Sequence, residues 1–197
     1  MRQEEQATRN AILKATFELL STEDVKDITI RRIAYYANVA VSAINYHFQT
    51  KENLIDLSVK TGVAQIVKNA FEQYKNLTGE PVERLKTVVI STCNIIASMA
   101  RISKLSILND LQRGFGTDNI YDSVNVLALI LKDIFDGQDY PKKSKDDLRL
   151  IAYQITASVH FGFFRSLQMK NEIGLDFFNS KDREKYIEKI LINLIHK

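Results

Sequence analysis

Apolar residues in the first part of the chain recur at helical spacing. Ile12, Leu13, Phe17 and Leu20, with Thr16 among them, share one face of a helix expected from about Glu4 to Leu20. The polar run STEDVKD ends it. Thr29 then stands where an N-cap is needed for a short helix, Ile30 to Ala37, whose inner face is Ile33, Ala34 and Ala37. Asn38 suits the left-handed conformation of a tight reversal. A second short helix follows, about Val41 to His47, with Ile44 inward and Phe48 seated after it. Thr50 caps a further helix that opens KENLIDL and continues to about Tyr74. The remainder reads as five more helices: Pro81 to about Met99, Ser103 to Arg113, Asn119 to Phe135, Lys145 to Met169 and Lys181 to His196. No stretch alternates with period two for long enough to argue a sheet. The pattern predicts an all-α protein of about nine helices.

Composition agrees with that pattern. The 197 residues include only two prolines and seven glycines, with 45% hydrophobic and 26% charged residues, as expected of a globular helical chain. The net charge of +3 is too small to mark a polyanion-binding protein, so its distribution matters more. Between Ile28 and Lys51 lie Arg31, Arg32 and Lys51 and no acid, while Glu23, Asp24, Asp27 and Glu52 sit just outside. A single cysteine, Cys93, excludes an intramolecular disulfide framework. The opening MRQEEQATRN is no signal peptide, and the longest apolar region, about Val88 to Ala100, is too short to span a bilayer; a cytoplasmic protein is expected.

Two short helices joined by a tight reversal and packed on a longer first helix form a helix-turn-helix pattern. With Val39, Ile44 and Phe48 inward, Val41, Ser42, Ala43, Asn45, Tyr46 and His47 face outward or along the rims. From about Arg9 to Leu54 the residues become specific. ILKA precedes TIRRIA, and after the reversal comes YHFQTKE. In that order and spacing the segment resembles the DNA-binding domain of the TetR family of bacterial transcriptional regulators. The resemblance implies domains at residues 1–50, binding DNA, and 51–197, binding a ligand and dimerising.

The resemblance also implies residue roles. Thr29 and Arg31 would grip phosphate or a nearby base edge, and Ser42 and Ala43 would approach the groove floor, the Ala43 methyl near a thymine methyl. Tyr46 and His47 would reach phosphate oxygens, and Lys51 would add charge at a helix N-terminus. The competing reading of Tyr46 and His47 is surface packing beside Phe48, and of Arg31 and Arg32 solvated charge. The chain departs from the family pattern at Asp24 and Asn38, where Gly is usual, and at Ala40, which cannot cap; a missing cap costs about 1 kcal/mol. Asn45 replaces a common Tyr and could pair with adenine, worth roughly 1–3 kcal/mol of discrimination.

One short recognition helix makes few contacts, so a homodimer on near-palindromic operator DNA is expected. Ile151, Ile155 and Val159, with Ile187, Ile190, Leu191 and Leu194, form apolar stripes that would meet across a two-fold axis or pack within the chain. The middle helices would enclose a small-molecule effector pocket walled by Tyr74, Met99, Phe115, Tyr121, His160, Phe163 and Phe164, with core packing the alternative. Arg165 or His160 would favour an anionic or polar head on that molecule. Cys93 among Val, Ile and Ala reads as packing before redox sensing, His160 as an interior histidine before a metal ligand, and GFG at 114–116 as a helix end. No nucleophile–base pair, paired carboxylates, metal spacing or cofactor motif can be assembled, so the chain reads as no enzyme. The function that follows is a sequence-specific transcriptional regulator, a repressor released by an inducer. The alternative is a helical interaction module of the same fold, governed by a protein partner or lacking DNA binding.

Overall fold

The computed structural model describes residues 2–113, 119–137 and 139–195. Ten helices are present among them: α1 (Arg2–Thr22), α2 (Ile30–Ala37), α3 (Val41–Phe48), α4 (Lys51–Asn76), α5 (Pro81–Ser98), α6 (Ala100–Arg113), α7 (Asn119–Phe135), α8 (Lys145–Phe164), α9 (Ser166–Ile173) and α10 (Ser180–Ile195). The chain divides into two compact units. One comprises Met1–Gln65 with Met99–Phe115, the other Ile66–Ser98 with Gly116–Lys197. The division places the start of α4 and all of α6 with the helix-turn-helix, whereas the sequence suggested a boundary after residue 50. No single helix among the described residues is long and apolar enough to cross a membrane.

The first unit closes around Ile12, Leu13, Leu19 and Leu20 of α1, Ile28, Ile33, Ile44, Phe48, and Leu54, Ile55 and Val59 of α4. Ile102 of α6 is buried in the same core, which is why that helix belongs here. Thr29 caps α2, its Oγ1 accepting from the Arg32 amide at 3.2 Å. Asn38 ends α2 with φ 53° and ψ 48°, the left-handed geometry expected of it. Ala40 provides no side-chain cap for α3. After Phe48, Gln49 takes φ 63° and ψ −49°, and the Thr50 amide donates to the Phe48 carbonyl at 2.7 Å. That is a tight positive-φ γ-turn, a strained conformation costing on the order of 1–3 kcal/mol for a residue with a side chain.

In the second unit α7 packs on α8, and α10 packs on both α5 and α8. Leu85, Val88 and Val89, Ile130 and Leu131, Ala152 and Ile155, and Ile187 and Leu191 fill the interior. Arg183 is buried, and its guanidinium donates to Asn94 Oδ1 at 2.9 and 2.6 Å and to the Phe177 carbonyl at 2.6 Å. The expected single helix from Lys145 to Met169 is two. Arg165 leaves helical geometry at φ −106°, ψ 16°, and Ser166 accepts from the Phe177 amide while donating to Asp176, both at 2.9 Å. Those tertiary bonds redirect the chain where no Pro or Gly signals a break.

Gly62 of α4 is required by close approach to α1. A Cβ there would stand 2.1 Å from the Phe17 ring. Gly62→Ala should therefore destabilise the protein by about 1–3 kcal/mol through overpacking, although alanine favours helix by about 1 kcal/mol. Denaturant unfolding checks this, and a more stable variant would contradict it.

Candidate functional site

The outward face of the helix-turn-helix is built by burying its inner one. Ile44 and Phe48 lie inside, so Val41, Ser42, Asn45 and Tyr46 are exposed and Ala43 and His47 half-buried. Tyr46 is 72% exposed. On α2, Thr29 and Arg31 are exposed, and among the described residues Arg31 has no hydrogen-bond or ion-pair partner. Arg32 does have one: it pairs with Glu23 at 2.7 Å and lies over the Tyr36 ring. The two arginines, alike in sequence, thus differ in availability. Lys51 does not project freely, since its ammonium donates to the Val25 carbonyl at 2.8 Å and fastens the loop between α1 and α2.

Three features of this face escape the sequence. Tyr35 and Tyr36 form an edge-on pair on α2, 82% and 55% exposed; their place opposite Ile33, Ala34 and Ala37 was the available signal. Glu5 of α1 accepts a hydrogen bond from the Tyr46 hydroxyl at 2.9 Å, which raises the pKa of that phenol above its ordinary value. Glu4, Glu5 and Thr8 form one wall of a groove whose other wall is Ser42, Ala43, Tyr46 and His47. No local pattern announces a contact spanning 41 residues of sequence.

The second unit contains a cavity of about 90 Å³, part of it open to solvent. Val67 and Ala70 of α4 line it, with Val88, Val89, Thr92, Cys93 and Ile96 of α5. Ser123, Val126, Leu127 and Ile130 of α7 and Ile155, Thr156, Val159 and His160 of α8 complete the wall. Of the aromatic and methionine wall expected from sequence, His160 alone is found among these residues. Tyr74 is buried elsewhere, its hydroxyl donating to Asp133 at 2.7 Å under the Arg84 guanidinium. Met99 packs on the core of the first unit. Phe163 packs against Phe164, Phe177 and Phe178, and Phe164 is 43% exposed. Phe115 and the Tyr121 side chain lie outside the described residues. Arg165 is exposed and absent from the wall, so it cannot supply the charge considered for an anionic head.

The expected dimer stripes divide as well. Ile151, Ile155, Val159, Ile187 and Leu191 are buried within the chain, and Ile190 and Leu194 are half-buried. They pack the chain's own core because they face α7, α5 and the cavity. The opposite side of α8 carries Leu150, Tyr153, Phe161 and Phe164, all exposed, and α10 carries an exposed Ile192.

Burial holds the His160 imidazole neutral, with its pKa lowered from 6.5 to about 4, and pushes the Cys93 thiol up to about 12. Unfolded His160 protonates near pH 6.5 and folded His160 only near 4, so the unfolded state binds the extra proton between them. Stability present above pH 6.5 should therefore be lost as pH falls toward 4. His160→Gln should show a shallower decline over that window in denaturant midpoints; parallel curves would contradict the burial account.

Comparison with known proteins agrees with this geometry. The bacterial regulatory proteins of the tetR family match residues 12–57, from the buried face of α1 into α4. No curated protein sequence matches the chain. Among solved structures, a TetR-family transcriptional regulator from Pectobacterium atrosepticum superposes with a TM-score of 0.72 at 16% identity, covering 100% of this chain and 98% of that one. The transcriptional regulator FadR from Bacillus subtilis, in complex with stearoyl-CoA, gives 0.63 at 18% identity, with 94% and 97% covered. The fatty acid degradation regulator FadR from Bacillus halodurans gives 0.59 at 17% identity, with 95% and 94% covered. At such identities the likeness concerns the fold. Residues 12–57 thus match the helix-turn-helix segment of the tetR family, and the helical architecture is shared with solved TetR-family regulators.

Proposed function

We propose that this chain is a transcriptional regulator of the TetR family, a homodimeric repressor that binds a near-palindromic operator and is released by a small molecule in the cavity of the second unit. The observation that carries the reading is the exposed polar face of α3, held outward by buried Ile44 and Phe48 within the matched segment. Ser42, Ala43 and Asn45 would address base edges, with Val41 at the rim, while Thr29, Arg31, Tyr46 and His47 would grip phosphates. Lys51 would act through the loop it fastens. In binding, Tyr46 would exchange its Glu5 partner for a phosphate oxygen.

Release follows from α4. It contributes Leu54, Ile55 and Val59 to the core under the recognition helix and Val67 and Ala70 to the cavity wall. A ligand that binds the DNA-incompetent state about 100-fold better supplies roughly 2.7 kcal/mol, enough to empty an operator at marginal occupancy. The stearoyl-CoA held by the Bacillus subtilis relative supports an effector site in this fold.

Selection of bound duplexes from a random pool should enrich a near-palindrome. Arg31→Ala should weaken binding to every sequence and make the salt slope shallower by about one for each phosphate no longer neutralised, whereas Asn45→Ala should relax one position of the site. Enrichment of no sequence would overturn the reading. Glu5→Ala removes a charge that competes with phosphate and should tighten the selected duplex by about threefold or more; weaker binding would show Glu5 to be a support of α3 instead.

The dimer face proposed is the exposed side of α8, Leu150, Tyr153, Phe161 and Phe164, with Ile192 of α10. A four-helix arrangement across a two-fold axis would cover it. Phe161→Glu should yield a folded monomer in sedimentation velocity that no longer binds the palindrome. A dimer that persists would move the interface elsewhere.

A further inference from the structure

Resting on the reading of the second unit as an effector site, we infer that the effector is an uncharged, mainly apolar molecule whose single polar group pairs with the Thr156 hydroxyl. Thr156 lines the cavity and is only 7% exposed. Its Oγ1 has no hydrogen-bond partner, and it is the one buried side-chain polar atom among the described residues in that state. A helical hydroxyl ordinarily bonds the carbonyl four residues back. Thr16 does so to Ile12 at 2.8 Å, Ser58 to Leu54 at 2.7 Å and Ser158 to Gln154 at 2.7 Å. Thr156 stands two residues from Ser158 on the same helix and forgoes that bond. An unpaired buried hydroxyl penalises the free protein, and a ligand group that pairs with it removes the penalty.

The rest of the wall sets the charge of that ligand. Among the described residues, no Asp, Glu, Lys or Arg lines the cavity. His160 is neutral at physiological pH and the Cys93 thiol stays protonated; the buried Arg183, whose charge is felt at Cys93, is not on the wall and already donates to Asn94 and the Phe177 carbonyl. An ionised carboxylate or phosphate moved into such a place loses its hydration without a counter-charge. The valine, leucine and isoleucine walls suit an alkyl chain or a compact ring, with one or two polar groups fixing its orientation. A neutral alcohol or ketone meets both conditions, since its oxygen accepts from Thr156.

Three eight-carbon probes test this on the full chain at pH 7.5: 1-octanol, octanoate and octanoyl-CoA, read by the unfolding midpoint as a function of concentration. Octanol should raise the midpoint saturably by a few degrees, while the two anions leave it unchanged. Thr156→Val should raise the ligand-free midpoint, because the unpaired hydroxyl is gone, and weaken octanol about tenfold. Equal stabilisation by octanoate or octanoyl-CoA, absence of an octanol shift up to its solubility limit, or undiminished octanol binding by Thr156→Val would each overturn the inference. None of these readouts uses DNA. A chain that binds octanol but enriches no duplex therefore removes the regulator reading alone, and one that enriches a palindrome but ignores octanol removes this inference alone.

Discussion

The recognition helix is eight residues long, begins without a side-chain cap and buries only two side chains, so it depends on how its last residue is fixed. Phe48 is fully buried beneath the Arg9 guanidinium, 5.5 Å from the ring centroid. Its carbonyl accepts from the Thr50 amide at 2.7 Å and from Asn53 Nδ2 at 2.9 Å. Truncating a ring in such a setting costs about 3–5 kcal/mol. The strained turn at Gln49 is tolerated because Phe48 on one side and the first turn of α4 on the other over-determine it. Through that turn the orientation of the outward side chains of α3 is tied to α4.

The same helix therefore bears on both proposed sites. Its first half closes the core that holds α3, and its second half lines the cavity. Displacement by a ligand at Val67 or Ala70 would be carried along a continuous hydrogen-bonded helix. In the proposed reading a modest differential affinity suffices, because operator binding by a dimer would be a balance of many weak phosphate contacts. On the same reading Glu5 of α1 adds to that balance by holding the Tyr46 hydroxyl when no DNA is bound.

Much of the helix-turn-helix was legible because its devices are local. Thr29 caps three residues ahead, Asn38 alone takes the left-handed turn, and Ala40 visibly lacks a cap. What failed to show needed knowledge of partners. Helical periodicity marks Ile151, Ile155 and Val159 as one face, but Leu150, Tyr153, Phe161 and Phe164 make the other side of α8 apolar as well. With large apolar residues on both sides of the helix, periodicity alone gives no sign of which face turns inward. The cavity was expected to be aromatic because large rings suggest pockets; the rings at Phe163, Phe164, Phe177 and Phe178 instead pack on one another, and small and branched residues leave the space. The break at Arg165 and the Glu5–Tyr46 bond are both tertiary, so no spacing in the chain encodes them.

The central claim is that the exposed face of α2 and α3 binds operator DNA through phosphate contacts and base reading together. Its most direct test is the affinity of the wild-type chain for its selected duplex and for a scrambled one across a range of salt concentrations. The account predicts that log affinity falls linearly with log salt with a slope of several for both duplexes, and that the selected one keeps an advantage of about 10³-fold or more throughout. A flat salt dependence, or equal affinity for the two duplexes, would contradict it.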